Sequence, residues 1–84
     1  MRYFFHLSDG SRVPDEVGTE LPDDAAARLH AVKYAGDVLQ REPALLEDED
    51  IRVEVADQSG LVLFTVIVLV VTAAVTGSMR RKPK

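Results

Sequence analysis

Short apolar runs alternate with polar breaks along the chain, and glycine or proline punctuates most of the breaks. Tyr3 to Leu7 is aromatic and apolar, too short for a helix, and stops at Ser8-Asp9-Gly10-Ser11, where Asp-Gly supplies the positive φ angles of a tight hairpin turn. A strand and a turn are predicted there. Arg12-Val13 returns as a second strand, which Pro14 confines to an edge or ends, because proline has no N–H to give to a ladder. Asp15-Glu16-Val17-Gly18 reads as another turn, with Gly18 in the left-handed position.

Leu21-Pro22-Asp23-Asp24 announces a helix: Asp23 is a good N-cap, and Asp24 adds negative charge to the first turn, where the helix dipole favours it. Ala25, Leu29, Val32, Ala35/Gly36 and Leu39 then recur at three- and four-residue spacing and predict a buried face, with Arg28, Lys33, Asp37 and Arg41 mostly on the others. Pro43 stops the helix near Arg41. Glu42 to Asp50 reads as a linker whose acidic run, Glu47 to Asp50, is a solvated loop. Ile51-Arg52-Val53-Glu54-Val55 alternates apolar and charged residues, the pattern of a half-buried strand. After a turn at Asp57-Gln58-Ser59-Gly60, Leu61 to Val66 returns as its hairpin partner. The element order is ββαββ, and the fold class is α+β: a four-stranded, largely antiparallel sheet with one helix packed on one face. Residues 1–66 form this small domain, and 67–84 are an apolar extension and a basic tail.

Length and charge narrow the functions open to such a fold. Eighty-four residues hold one core, and the absence of cysteine removes disulfides, thiolate zinc sites and cysteine nucleophiles. The net charge of −4 hides an asymmetry: residues 1–60 carry six basic and all fourteen acidic residues, a net −8, whereas 61–84 carry only Arg80, Arg81, Lys82 and Lys84. Phosphate binding needs a basic surface, so no nucleic acid is expected as a partner. Met1 to Ser11 lacks a secretory pattern, which predicts a cytoplasmic location.

Several short motifs share an order and spacing with a known family. They are Arg2-Tyr3-Phe4-Phe5-His6 followed by Asp9-Gly10, then Asp15-Glu16, Gly18 and Glu20-Leu21-Pro22-Asp23 before an Ala-rich helix, and finally Val53-Glu54-Val55, Gly60 and Val62-Leu63-Phe64-Thr65. Over residues 2–66 the chain resembles the short bacterial proteins grouped as domain of unknown function 6894, found in rhizobia and their relatives. The resemblance implies a small α+β domain in a bacterial cytosol and brings no activity, ligand or catalytic residue with it. The chain departs from that family's pattern after Val66, where Ile67 to Val75 stays apolar.

Leu61 to Met79 holds nineteen residues without a charge, eleven of them Leu, Val, Ile or Phe. As a helix, that length would span just under the roughly 30 Å hydrocarbon core of a bilayer. Tethering at the inner membrane through 61–79 is therefore the alternative to a sheet strand, although it sets the acidic body and the basic tail at odds over orientation. High Val and Ile content and the Gly60 turn favour the strand. An apolar edge strand left exposed predicts self-association.

The titratable residues offer little chemistry. His6 and His30 are the only histidines, one on a strand and one on a helix, without metal-ligand spacing. Six carboxylates fall between Asp9 and Asp24, but turn and cap duty explains Asp9, Asp15 and Asp23, and no calcium-loop pattern is present. Tyr3, Phe4 and Phe5 are core formers, since alternate strand residues point to opposite faces. No catalytic residue, metal site or cofactor is expected. If the body binds a ligand, His6, Asp15 and Glu20 are the side chains to carry it. The function these features favour is a non-catalytic protein-interaction module that meets a protein partner or a second copy through its exposed sheet face or C-terminal edge. The membrane tether is the alternative, and a small metal- or metabolite-binding protein is the third reading.

Overall fold

A computed structural model describes residues 1–47 and 49–73. Strand β1 (Arg2–Ser8) is central in the sheet, with β2 (Arg12–Val13) and β3 (Thr19–Glu20) both paired to its outer edge and β4 (Ile51–Ala56) paired to the other. Strand β5 (Val62–Val68) completes the order β2-β1-β4-β5, and every pairing is antiparallel. Helix α1 (Asp24–Arg41) crosses between the two halves of the sheet. The expected α+β architecture is present, with one difference at the outer edge. The second strand is two short pieces, because Pro14 interrupts the ladder and the chain bows away before it rejoins β1 at Thr19.

Local chemistry sets the element ends. Gly10 takes φ 101° in the β1–β2 turn. The Asp23 carboxylate accepts the Ala26 N–H at 2.9 Å and caps α1, which ends at Arg41 as Pro43 requires. In the second hairpin the Asp57 carboxylate accepts the Ser59 hydroxyl (2.7 Å) and the N–H groups of Ser59 (2.9 Å) and Leu61 (3.1 Å), and these bonds hold its pKa below the usual value. The segment read as a linker contains a 3₁₀ turn, Pro43–Glu47, that lays half-buried Leu45 and Leu46 against the core. Asp48 in the acidic run lies outside the described residues.

The core is the layer between α1 and one sheet face. Tyr3, Phe5 and Leu7 of β1 alternate inward, as do Ile51, Val53 and Val55 of β4, and the last three are fully enclosed. Each such aliphatic side chain contributes on the order of 1.5–3 kcal/mol by leaving water. Against them α1 lays Ala27, Ala31, Ala35 and Val38.

This corrects the helix face expected from spacing. Of the predicted set only Ala35 is buried and Leu39 half-buried, while Ala25 and Gly36 are exposed, Leu29 is 72% exposed and Val32 53%. The sheet supplies the bulky side chains Tyr3 and Phe5, so close packing is met by the alanine ridge of the helix and not by its leucine and valine ridge.

The apolar stretch enters the sheet. Phe64, Val66 and Val68 pair with Val55, Val53 and Ile51, so the ladder runs two residues past Val66, and a register shift at Val55/Ala56 marks a bulge near Leu63. Residues 62–68 therefore belong to a strand, not to a membrane helix over 61–79. Among the described residues no helix is long and apolar enough to cross a membrane. Residues 74–79 of that stretch, and the basic tail, lie outside the described residues.

Candidate functional site

Two regions could bind something: the loop between β2 and β3 with the cleft beside it, and the outer edge of β5. At the first, the gap left by Pro14 leaves the Phe5 N–H of β1 without a strand partner. The Asp15 carboxylate fills that gap, accepting the N–H of Phe5 (3.1 Å) through Oδ2 and those of Val17 and Gly18 (both 3.0 Å) through Oδ1. Burial pushes the Asp15 pKa up, but the N–H bonds from Gly18, Phe5 and Val17, with the nearby His6, outweigh it and hold the group below the usual carboxylate value. The Asp15 N–H in turn donates to His6 Nδ1 at 3.0 Å, which makes that nitrogen an acceptor and leaves Nε2 to carry the proton of the neutral ring. Gly18, at φ 79°, closes the loop over Arg2 and Phe4, and the Arg2 guanidinium donates to the Val17 carbonyl at 2.8 Å.

Of the three candidate ligand residues, His6 and Asp15 are thus brought together as parts of one edge closure. Glu20 is apart from them, exposed, with its carboxylate 3.6 Å from Arg2 Nε and 3.2 Å from the Met1 nitrogen. Next to Asp15 a cleft of about 290 Å³ opens between the loop and the helix. Val13, Pro14, Asp15 and Thr19 form one side. His30 and Tyr34, one helical turn apart, form the other, and the His30 ring leans on Phe5 with centroids 4.5 Å apart. The i, i+4 spacing of His30 and Tyr34 was visible in the sequence, but nothing there placed Asp15 opposite them. Both oxygens of that carboxylate accept backbone N–H groups, which fixes its place at the rim of the cleft. Among the described residues no three His, Asp or Glu side chains gather in a way that would hold a metal ion.

The Tyr3 hydroxyl donates to Asp24 Oδ1 at 2.7 Å and ties β1 to the first turn of α1. That bond, burial, and the charges of Asp24 and Asp23 push the phenol pKa up to about 12. The contact is structural, since both partners are satisfied by each other.

The second region is defined by which way backbone groups point. The Phe5 N–H faces Asp15, so the odd residues of β1 direct their polar groups away from β4. Phe5 and Leu7 oppose Val55 and Val53, which must then turn their own N–H and C=O groups toward β5 and bond Phe64 and Val66. What remains on β5 is Thr65 and Ile67, whose N–H and C=O groups point outward. The Asp57 N–H bonding the Leu61 carbonyl at 3.0 Å follows the same parity. This edge has no charged residue and no proline from Val62 to Val68. Beyond it Leu69, Val70 and Val71 are also exposed. On the helix side Arg28 stands over the Phe64 ring at 5.9 Å; on the opposite face Thr65 lies beside Glu54 and Ile67 beside Arg52.

The model of the domain of unknown function DUF6894 matches residues 2–69, and the chain belongs to that family. No curated protein and no solved structure matches it.

Proposed function

We propose that the chain, as a member of this family, is a non-catalytic protein-interaction module that accepts an extended segment onto the outer edge of β5. The observation that carries this reading is the row of outward backbone groups at Thr65 and Ile67 on a seven-residue strand with neither charge nor proline. Main-chain hydrogen bonds from such an edge give affinity to an added strand, and the alternating pockets beside it give selectivity.

A test uses a nine-residue peptide of alternating valine and threonine with a lysine and a glutamate at its ends, titrated into the isotopically labelled protein at a dilution where it sediments as a monomer. The expected outcome is slowed amide exchange at Thr65 and Ile67, with Phe64 and Val66 already protected in the free protein. Shifts confined to His30 and Tyr34, or no protection at millimolar peptide, would overturn the reading.

A further inference from the structure

We infer that the strand taken up by β5 is the β5 of a second copy, in an antiparallel pairing whose two-fold axis passes beside Val66. This rests on the edge reading above and adds the partner and the register.

The available surface is of the right size. Leu61, Val62, Ile67, Leu69, Val70 and Val71 are 47–79% exposed. Together they present on the order of 600 Å² of residue surface, backbone included, against the roughly 800 Å² per partner of a standard stable interface. A second copy is matched to this edge in length, in lack of charge and in twist.

The extent of the exposed apolar run, Leu61 to Val71, selects the register. In an antiparallel pair, the outward residues of each strand must face outward residues of the other. If Thr65 faced its own mate, Val70 and Val71 would face the Ser59-Gly60 turn of the other copy; if Ile67 did, Leu61 and Val62 would face Ala73 and Thr72 in place of large apolar side chains. With Val66 at the axis, Thr65 faces Ile67 of the second copy, and every row reads Arg52, Ile67, Thr65, Glu54 across the two copies. Leu61 and Val62 then face Val71 and Val70 of the second copy, so the whole apolar run is paired. Thr65 and Ile67 exchange four main-chain hydrogen bonds, and the Val66 pair closes on the helix side. The two sheets become one, with both helices on the same face.

The absence of cysteine makes the register readable by cross-linking. In a Val66→Cys variant the two sulfurs belong to a non-hydrogen-bonded pair with Cα atoms about 4.5 Å apart, within disulfide range. A Thr65→Cys variant, whose mates would be diagonal neighbours at about 7–8 Å, is too far apart to bridge. The expected result is a dimer by sedimentation equilibrium, oxidative cross-linking of Val66→Cys, and cross-linking of Thr65→Cys mixed with Ile67→Cys but of neither alone. Thr65→Lys, favourable beside its own Glu54 but set near Arg52 of the other copy, is expected to give a folded monomer. Efficient cross-linking of Thr65→Cys alone would overturn the register. A wild-type monomer at high concentration would overturn the second copy as occupant. In that event peptide protection at Thr65 and Ile67 in the same monomer would leave the edge reading standing, and its absence would remove both.

Discussion

The two edges of this one sheet are built by opposite rules. On the β2–β3 side, Pro14 breaks the ladder, the Asp15 carboxylate occupies the exposed Phe5 N–H, and Arg12 and Glu20 put charge on the remaining strand pieces. On the β5 side a strand of seven residues runs without charge or proline, and among the described residues its outward backbone groups face no other element. Proline, charge and short strands are the devices by which proteins prevent edge pairing. In the proposed pairing, their presence at one edge and absence at the other direct sheet growth to a single side. The bow between β2 and β3 closes that edge, and the cleft lies beside the closure.

The comparison breaks most easily at Asp15. Asp15→Ala leaves the N–H groups of Phe5, Val17 and Gly18 without their acceptor, and a loss of about 2–3 kcal/mol is expected in denaturant unfolding. The variant should also aggregate through the reopened edge, which light scattering would detect. Gly18→Ala comes next. A Cβ there meets Arg2 Cγ at 2.8 Å and the Phe4 ring at 3.0 Å with φ at 79°, so about 1–3 kcal/mol is expected to be lost, most visibly as faster amide exchange at Val17 and Thr19.

Acid and alkali act on the same half of the molecule. The folded Asp15 pKa lies below the unfolded value, so its stabilisation is present above the ordinary 3.8 and is lost as pH falls through the folded pKa. The gap in thermal midpoint between wild type and Asp15→Asn should close over that range. The Tyr3 pKa is raised, so its contribution is present below 10 and is lost as pH rises toward about 12; Tyr3→Phe should abolish that alkaline decline. The smallest effect is at the other edge. Thr65→Lys makes no change to the β4 ladder and gains a neighbour in Glu54, so the stability of the monomer should move by no more than about 0.5 kcal/mol while association is lost. A large loss of monomer stability would mean that the outer side of β5 is already engaged within the chain.

Much of the scaffold was legible from short-range chemistry. Asp9-Gly10, Asp23 before an Ala-rich segment, Pro43 and Asp57 to Gly60 fix turn and cap positions through bonds made within a few residues, and all of them act in the structure as their chemistry requires. The helix face was not legible. Ala25, Leu29, Val32 and Gly36 form one apolar stripe and Ala27, Ala31, Ala35 and Val38 another on the far side, so periodicity alone could not choose between them. Asp15 was visible as a turn residue, but its role as stand-in for a strand could not be seen, because that depends on an N–H ten residues earlier.

By itself, the sequence determined the elements, their ends, the α+β class and the confinement of an uncharged apolar stretch to the last quarter of the chain, because propensity, capping and alternation act over neighbouring residues. Tertiary structure alone decided the rest. The bulk of Tyr3 and Phe5 chose the alanine ridge of α1, pairing with β4 drew residues 62–68 into a strand, and the ladder parity passed from Asp15 through β1 and β4 left Thr65 and Ile67 facing outward. These outcomes depend on space filling and on hydrogen bonds between residues far apart in the chain, which no local pattern encodes.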